Sequence, residues 1–197
     1  MDFIQETWNK AKKLGKTIVL PETEDARVLK AAELITQAKL AKIILIGDEA
    51  AIKKVAGAGD VDFTGLQIVD PMKHPNLDKY IQVLKERRAA KGMTIEKARQ
   101  LLTRDYPYFG AMLVDRGEAD GMVTGATHYT ADTLRAVIEC VGKGPGQSII
   151  SSFFVMVLPD KNFGDNGVLF YADCGVVPNP TAEQLADIAG QTADSFK

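Results

Sequence analysis

The sequence has little that would mark a redox or metal protein. Its two cysteines, Cys140 and Cys174, define no disulfide framework. Its two histidines, His74 and His128, stand apart from them, so zinc-finger spacing is absent. No run of about 18 apolar residues occurs, so a membrane span is not expected. The first residues, Met1-Asp2-Phe3-Ile4-Gln5, lack the basic-then-apolar pattern of an export signal. A net charge of -2 leaves no global basic field, so nucleic acid is not expected as a partner. No Gly-x-Gly-x-x-Gly follows the first apolar strand, and no Walker A pattern occurs, so the standard nucleotide loops are excluded. These absences point to a soluble cytoplasmic protein. Any anionic ligand must then be held by local arginines and helix termini.

What is present suits a folded α/β chain. The 197 residues are 46% apolar and 25% charged, enough for a proper core. Phe3 to Leu14 reads as an amphipathic helix ended by Gly15. Thr17–Leu20, Lys42–Gly47 and Gln67–Val69 are short apolar strands of the kind buried on both faces. Helices over residues 25–38 and 48–55 separate them, the second capped by Asp48, and residues 57–60 form a loop. The order βαβαβ predicts a doubly wound, mostly parallel sheet. A helix over 75–90, one capped by Thr94 and one opened by Tyr106 follow, and Gly117 breaks the last. Residues 120–124 read as a strand, Gly125 as a turn and Thr130 as the N-cap of a helix running to Val141. Its core stripe is expected at Leu134, Val137, Ile138 and Val141, with Arg135 at the rim of that stripe. Gly142 to Gln147 reads as a hinge. Ser148–Leu158 and Val168–Tyr171 then form a hairpin, and Thr181 caps a last helix with Leu185, Ile188 and Ala189 inward. The domain reading is residues 1–146 for a first α/β domain, with 147–197 beginning a second, incomplete one.

Three segments carry candidate chemistry, each with two readings open. Gly121 to Arg135 ends a strand, turns through glycine, hydroxyls and free N–H groups, and starts a helix bearing one arginine. Ligands of open α/β sheets sit at such strand ends, and helix N-termini attract anions; the other reading is an ordinary strand-to-helix connection. Arg27 lies at the same sheet edge as a ligand contact or a salt-bridged surface residue. Lys85, Arg87, Arg88 and Lys91 either clamp an anion or complement the helix dipole.

Four stretches together resemble the phosphate acetyl/butyryl transferase family. They are Ile18–Glu22 with Arg27–Ala32, Arg88–Thr94, Ala119–Ala126 with Thr130–Arg135, and Tyr171–Cys174 with Pro180–Ala186. They follow one another in family order and spacing across nearly the whole chain.

The resemblance implies reversible acyl transfer from acetyl-CoA to inorganic phosphate. It implies two α/β domains like those of isocitrate and isopropylmalate dehydrogenases, with the site in the cleft. The family's cleft arginines match Arg88, with Arg87 adjacent, and Arg135. Planar guanidiniums suit a phosphate and a developing oxyanion. Thr130 is the implied hydroxyl donor, with Tyr129 where the family usually has serine. Cys174 matches a cysteine near the family's site, and with no histidine partner visible it takes a packing or substrate-proximal role. The substrates are CoA, acetyl-CoA and phosphate, with no metal or redox cofactor, and a homodimer is expected. The family's Ser-Arg pair and the aspartate implied to deprotonate the CoA thiol have no counterpart here. These 197 residues are therefore expected to be an N-terminal portion without activity alone. The alternatives are a phosphate butyryltransferase and a noncatalytic binding module on the same scaffold. An NAD-dependent hydroxyacid dehydrogenase would need clustered metal-binding aspartates, and none stand in a matching context.

Overall fold

The computed structural model describes residues 3–57, 61–144 and 146–196. Most of the expected 57–60 loop, and Pro145 of the expected hinge, lie outside them. The chain divides into two compact units, Thr7–Gly142 and Lys143 onward together with the first residues. No helix among the described residues is long and apolar enough to cross a membrane.

The larger unit is a parallel sheet in the order β3-β2-β1-β4. Its strands are β1 (Thr17–Leu20), β2 (Lys42–Ile46), β3 (Gln67–Val69) and β4 (Gly121–Met122). Helices α1 (Phe3–Leu14), α2 (Ala26–Gln37), α3 (Glu49–Ala56), α4 (Leu77–Arg87), α5 (Ile95–Arg104), α6 (Tyr106–Asp115) and α7 (Thr130–Cys140) connect and flank them. The apolar runs in β1 and β2 exist because both faces are buried. Val19, Ile44 and Ile46 face a core built with α4 to α7, while Leu20, Ile43 and Leu45 face α2 and α3. In α6, Gly110 lets the helix approach the sheet closely. A Cβ there would stand 2.7 Å from Met122 Sδ and 3.1 Å from Val19 Cγ1.

Several expected elements differ. The strand read at 120–124 is only Gly121–Met122, since β1 offers four residues and the chain then bends toward Glu22. The helix read at 75–90 is Leu77–Arg87, with 3-10 turns at Pro71–Lys73 and Ala89–Lys91. The core stripe of α7 is also differently phased. Ala136 and Cys140 are the buried residues, and Ile138 and Val141 are exposed. Small side chains let α7 pack on α6, with Cys140 Sγ 3.5 Å from the Tyr108 carbonyl. Val137 and Val141 instead line a cavity of about 450 Å³ beside β4. Arg135 consequently lies on the exposed side of α7, not at the rim of a core stripe.

The smaller unit holds an antiparallel hairpin, β5 (Phe153–Val157) and β6 (Val168–Ala172), and α8 (Ala182–Phe196). The strand read at 148–158 is shorter because Ser148 Oγ bonds Asp187 and Ser152 bonds Asp173 instead of a ladder. Thr181 caps α8 with a reciprocal box: Gln184 N donates to its Oγ1 at 3.3 Å, and Thr181 N to Gln184 Oε1 at 2.9 Å. Of the three expected inward residues of α8, Ile188 is buried, while Leu185 and Ala189 are exposed. One hairpin and one helix offer too little surface to cover them.

Candidate functional site

The carboxyl ends of β1 and β4 are joined by one side chain. Pro21 ends β1, and Glu22 follows it with 1% of its surface exposed. The amides of Gly125 and Ala126 donate to its Oε2 at 2.8 Å each. Those of Thr127 and His128 donate to its Oε1 at 2.8 and 2.9 Å. His128 Nδ1 stands 2.9 Å from the same oxygen. Burial would raise the Glu22 pKa, but these donors outweigh it and hold the carboxyl down at about 2. The turn amides expected to be free are therefore taken by a carboxylate of the protein itself. Thr127 Oγ1 adds a 2.6 Å bond to Glu24.

Beyond the turn, Tyr129 occupies the N-cap of α7 and makes no side-chain cap bond. Thr130 is the first helical residue instead of the cap, because the Glu22-bound turn fixes where the helix begins. Tyr129 is 82% exposed. Asp132 lies in the first turn, where it suits the dipole, and pairs with Arg135 Nη1 at 3.1 Å.

The basic end of α4 meets the other end of α7. Arg87 Nη1 bonds the Cys140 carbonyl and stands 2.8 Å from Asp115 Oδ1, so it satisfies an orphan acceptor at a helix terminus. Arg88 Nη2 lies 3.2 Å from Glu139 Oε1, whose Oε2 accepts from Tyr108 OH at 3.1 Å. Arg88 Nε is buried and has no partner among the described residues. Arg135 and Glu139 stand four residues apart and share one flank of α7. The fold thus brings Glu139, Arg135 and Asp132 into one row along α7 with Arg88 against Glu139, whereas Thr130 starts the helix on the opposite face and Tyr129 precedes it. Asp105 lies within electrostatic reach of His128, Asp132 and Arg135, and its pKa is raised, chiefly by burial.

Two other expected residues are placed elsewhere. Arg27 takes its surface reading: it forks onto Asp25 with Nε at 3.0 Å and Nη2 at 2.6 Å. Cys174 belongs to the smaller unit, half-buried, with Sγ 3.2 Å from Ser152 Oγ. Beside it, the Asp173 carboxylate accepts from the Ser152 side chain and from the amides of Ser152, Gly175, Val176 and Val177. Burial pushes the Asp173 pKa up, but these bonds hold it at about 2. Sequence reasoning missed Glu22, His128, Glu139, Asp105 and Asp173. Glu22 carried a signal as an acid directly after the proline that ends a strand at the ligand edge, and Asp173 and His128 stood inside stretches singled out without a role of their own.

A family model described as phosphate acetyl/butaryl transferase matches residues 2–197. The chain belongs to this family. It is 47% identical over its whole length to a phosphate acetyltransferase of Acetivibrio thermocellus, covering 58% of that protein. It is 41% identical over 186 residues to one from Escherichia coli, covering 94% of this chain and 25% of that one. Among solved structures, the EutD phosphotransacetylase of Staphylococcus aureus superposes with a TM-score of 0.83 at 33% identity, over 98% of this chain and 57% of that chain. The family member described here thus spans less than two thirds of these relatives.

Proposed function

We propose that the chain is part of an enzyme that transfers an acetyl group reversibly between CoA and inorganic phosphate. The observation that carries this reading is the row of Arg88 and Arg135 on one flank of α7, in a chain of this family. Arg135 is the exposed partner. Its pair with Asp132 is solvent-exposed and worth little, so a substrate anion can replace Asp132. Arg88 is held by Glu139 and supplies a fixed charge. Arg87 supports the end of α7 beside it. Thr130 and Tyr129 offer hydroxyls at the helix start, and Cys174, in the smaller unit, does not act as nucleophile.

In the forward step a phosphate oxygen attacks the thioester carbonyl and forms the new C–O bond. The C–S bond breaks, and the CoA sulfur receives the proton that phosphate gives up. Guanidiniums stabilise the phosphate and the oxyanion that develops on the carbonyl. The step needs positioned reactants and no electron carrier. The acetyl preference is supported by the names of the relatives, with butyryl as the competing acyl group. A homodimer is part of the same proposal.

The test is CoA-dependent formation of acetyl phosphate. We expect it from the protein expressed from its complete reading frame and not from residues 1–197 alone, because the family's Ser-Arg pair and aspartate have no match in them. Butyryl transfer exceeding acetyl transfer would overturn the acyl assignment. Turnover by residues 1–197 alone would overturn the claim that they are inactive. No turnover by the whole product would overturn the function itself.

A further inference from the structure

Arg27 and Arg88 each meet a carboxylate, and they meet it differently. Arg27 presents Nε and Nη2, the two parallel donors of one guanidinium edge, and Asp25 takes both, at 3.0 and 2.6 Å. Arg88 gives Glu139 only Nη2, at 3.2 Å from Oε1. Its Nε lies on the same edge, yet it is buried and has no partner among the described residues. The Glu139 oxygen that would meet it, Oε2, accepts instead from Tyr108 OH at 3.1 Å. Burial, and then the Glu139 charge, raise the Tyr108 pKa, so its hydroxyl keeps the proton it donates. A buried donor without a partner costs stability, and the fold keeps this one open.

We propose that Tyr108 is a positioning residue, which holds Glu139 back to one guanidinium nitrogen and so leaves the other donors of Arg88 to an oxygen of inorganic phosphate. This rests on the proposed phosphate chemistry. The Arg88 side chain is 27% exposed, so its guanidinium can be reached, and Glu139 is its one contact among the described residues. Glu139 is an anion of the protein itself, set beside a cation proposed for a substrate anion. Closed side-on over Nε and Nη2, as Asp25 closes on Arg27, it would compete with phosphate through two charge-assisted bonds. Held by Tyr108 it competes through one, and still keeps Arg88 in place. Tyr108 comes from α6 and Glu139 from α7, so the packing of these helices sets how much of Arg88 stays available.

The test is the phosphate KM of the protein expressed from its complete reading frame, with kcat and the acetyl-CoA KM measured beside it. Tyr108→Phe keeps the ring in the core and removes the hydroxyl. We expect it to raise the phosphate KM about tenfold, the weight of one hydrogen bond between charged groups, and to move kcat and the acetyl-CoA KM far less. Glu139→Gln in that background should bring the phosphate KM back, because a neutral amide offers Arg88 one acceptor and no charge. A merely structural role for Tyr108 predicts the opposite, a second defect added to the first. Glu139→Gln alone should lower the phosphate KM, and that arm stands even where Tyr108→Phe does not fold. The inference is overturned by a folded Tyr108→Phe whose phosphate KM is unchanged or rises no more than its acetyl-CoA KM. A double variant no better than Tyr108→Phe, or a phosphate KM that does not fall in Glu139→Gln, overturns it too. In each case wild-type turnover with phosphate leaves the acetyltransferase reading standing, whereas a wild type that uses no phosphate overturns both.

Discussion

Two of the protein's carboxylates, Glu22 and Asp173, each gather several backbone amides into a turn, and they differ in reach. Glu22 gathers the amides of residues 125–128 from 103 to 106 positions away. Asp173 gathers amides two to four positions ahead, plus Ser152 at 21. Both carboxyls are held at about 2. Glu22 is buried and ties two strand ends into one edge, whereas Asp173 is half-buried and mostly folds its own neighbourhood. The same chemistry is tertiary in one unit and local in the other. Its energetic weight should follow burial and reach, not the number of bonds.

The largest effect should come from Glu22→Gln, which puts an amide donor among buried donors. We expect a loss of about 3 kcal/mol in stability, read by urea unfolding. A loss no greater than that of Asp173→Asn would break the comparison. Acid should expose the same difference. A depressed carboxyl stabilises fully above its unfolded value, so Glu22 contributes above 4.5 and loses that contribution as pH falls toward about 2. Stability should therefore fall through that window in wild type and more gently in Glu22→Gln. Parallel curves would show that another carboxylate dominates.

Asp173→Asn should cost about 1 kcal/mol. Hydrogen exchange should quicken at Gly175, Val176 and Val177 while β1 and β2 keep their protection. Quickened exchange through the hairpin, or loosening of β1, would mean that Asp173 also reaches beyond its turn. The smallest stability effect belongs to Arg135→Ala, within about 0.5 kcal/mol because its pair with Asp132 is exposed. Its effect on phosphate use should nevertheless be more than tenfold, by the usual weight of a charged contact. Unchanged phosphate kinetics would remove Arg135 from the site.

The same contrast explains what could be read from the sequence. Residues 17–20 and 42–46 were legible as strands because burial on both faces leaves a continuous apolar run. The cap at Thr181 was legible because its partner is three residues away. The phase of α7 was not, because Ala136 and Cys140 are small and carry a weak periodic signal, while exposed Ile138 and Val141 carry a strong one. The Arg88–Glu139 contact spans 51 residues, and a local pattern holds no trace of it. Glu22 is the extreme case: four of its donors are amides, which every residue but proline has, so those partners have no signature.

The span between Glu22 and its donors also matters while the chain is being made. When β1, β2 and β3 have left the ribosome, Glu22 is present and residue 128 is not. The three strands can pair by then, but an ionised carboxylate at their upper edge still holds its water. It can give up that water only after more than fifty further residues have been synthesised, since β3 ends at Val69 and the first donor is Gly125. Completion of this edge is thus timed by translation, and a nascent chain paused before Gly125 carries an open, hydrated sheet edge for a chaperone to meet.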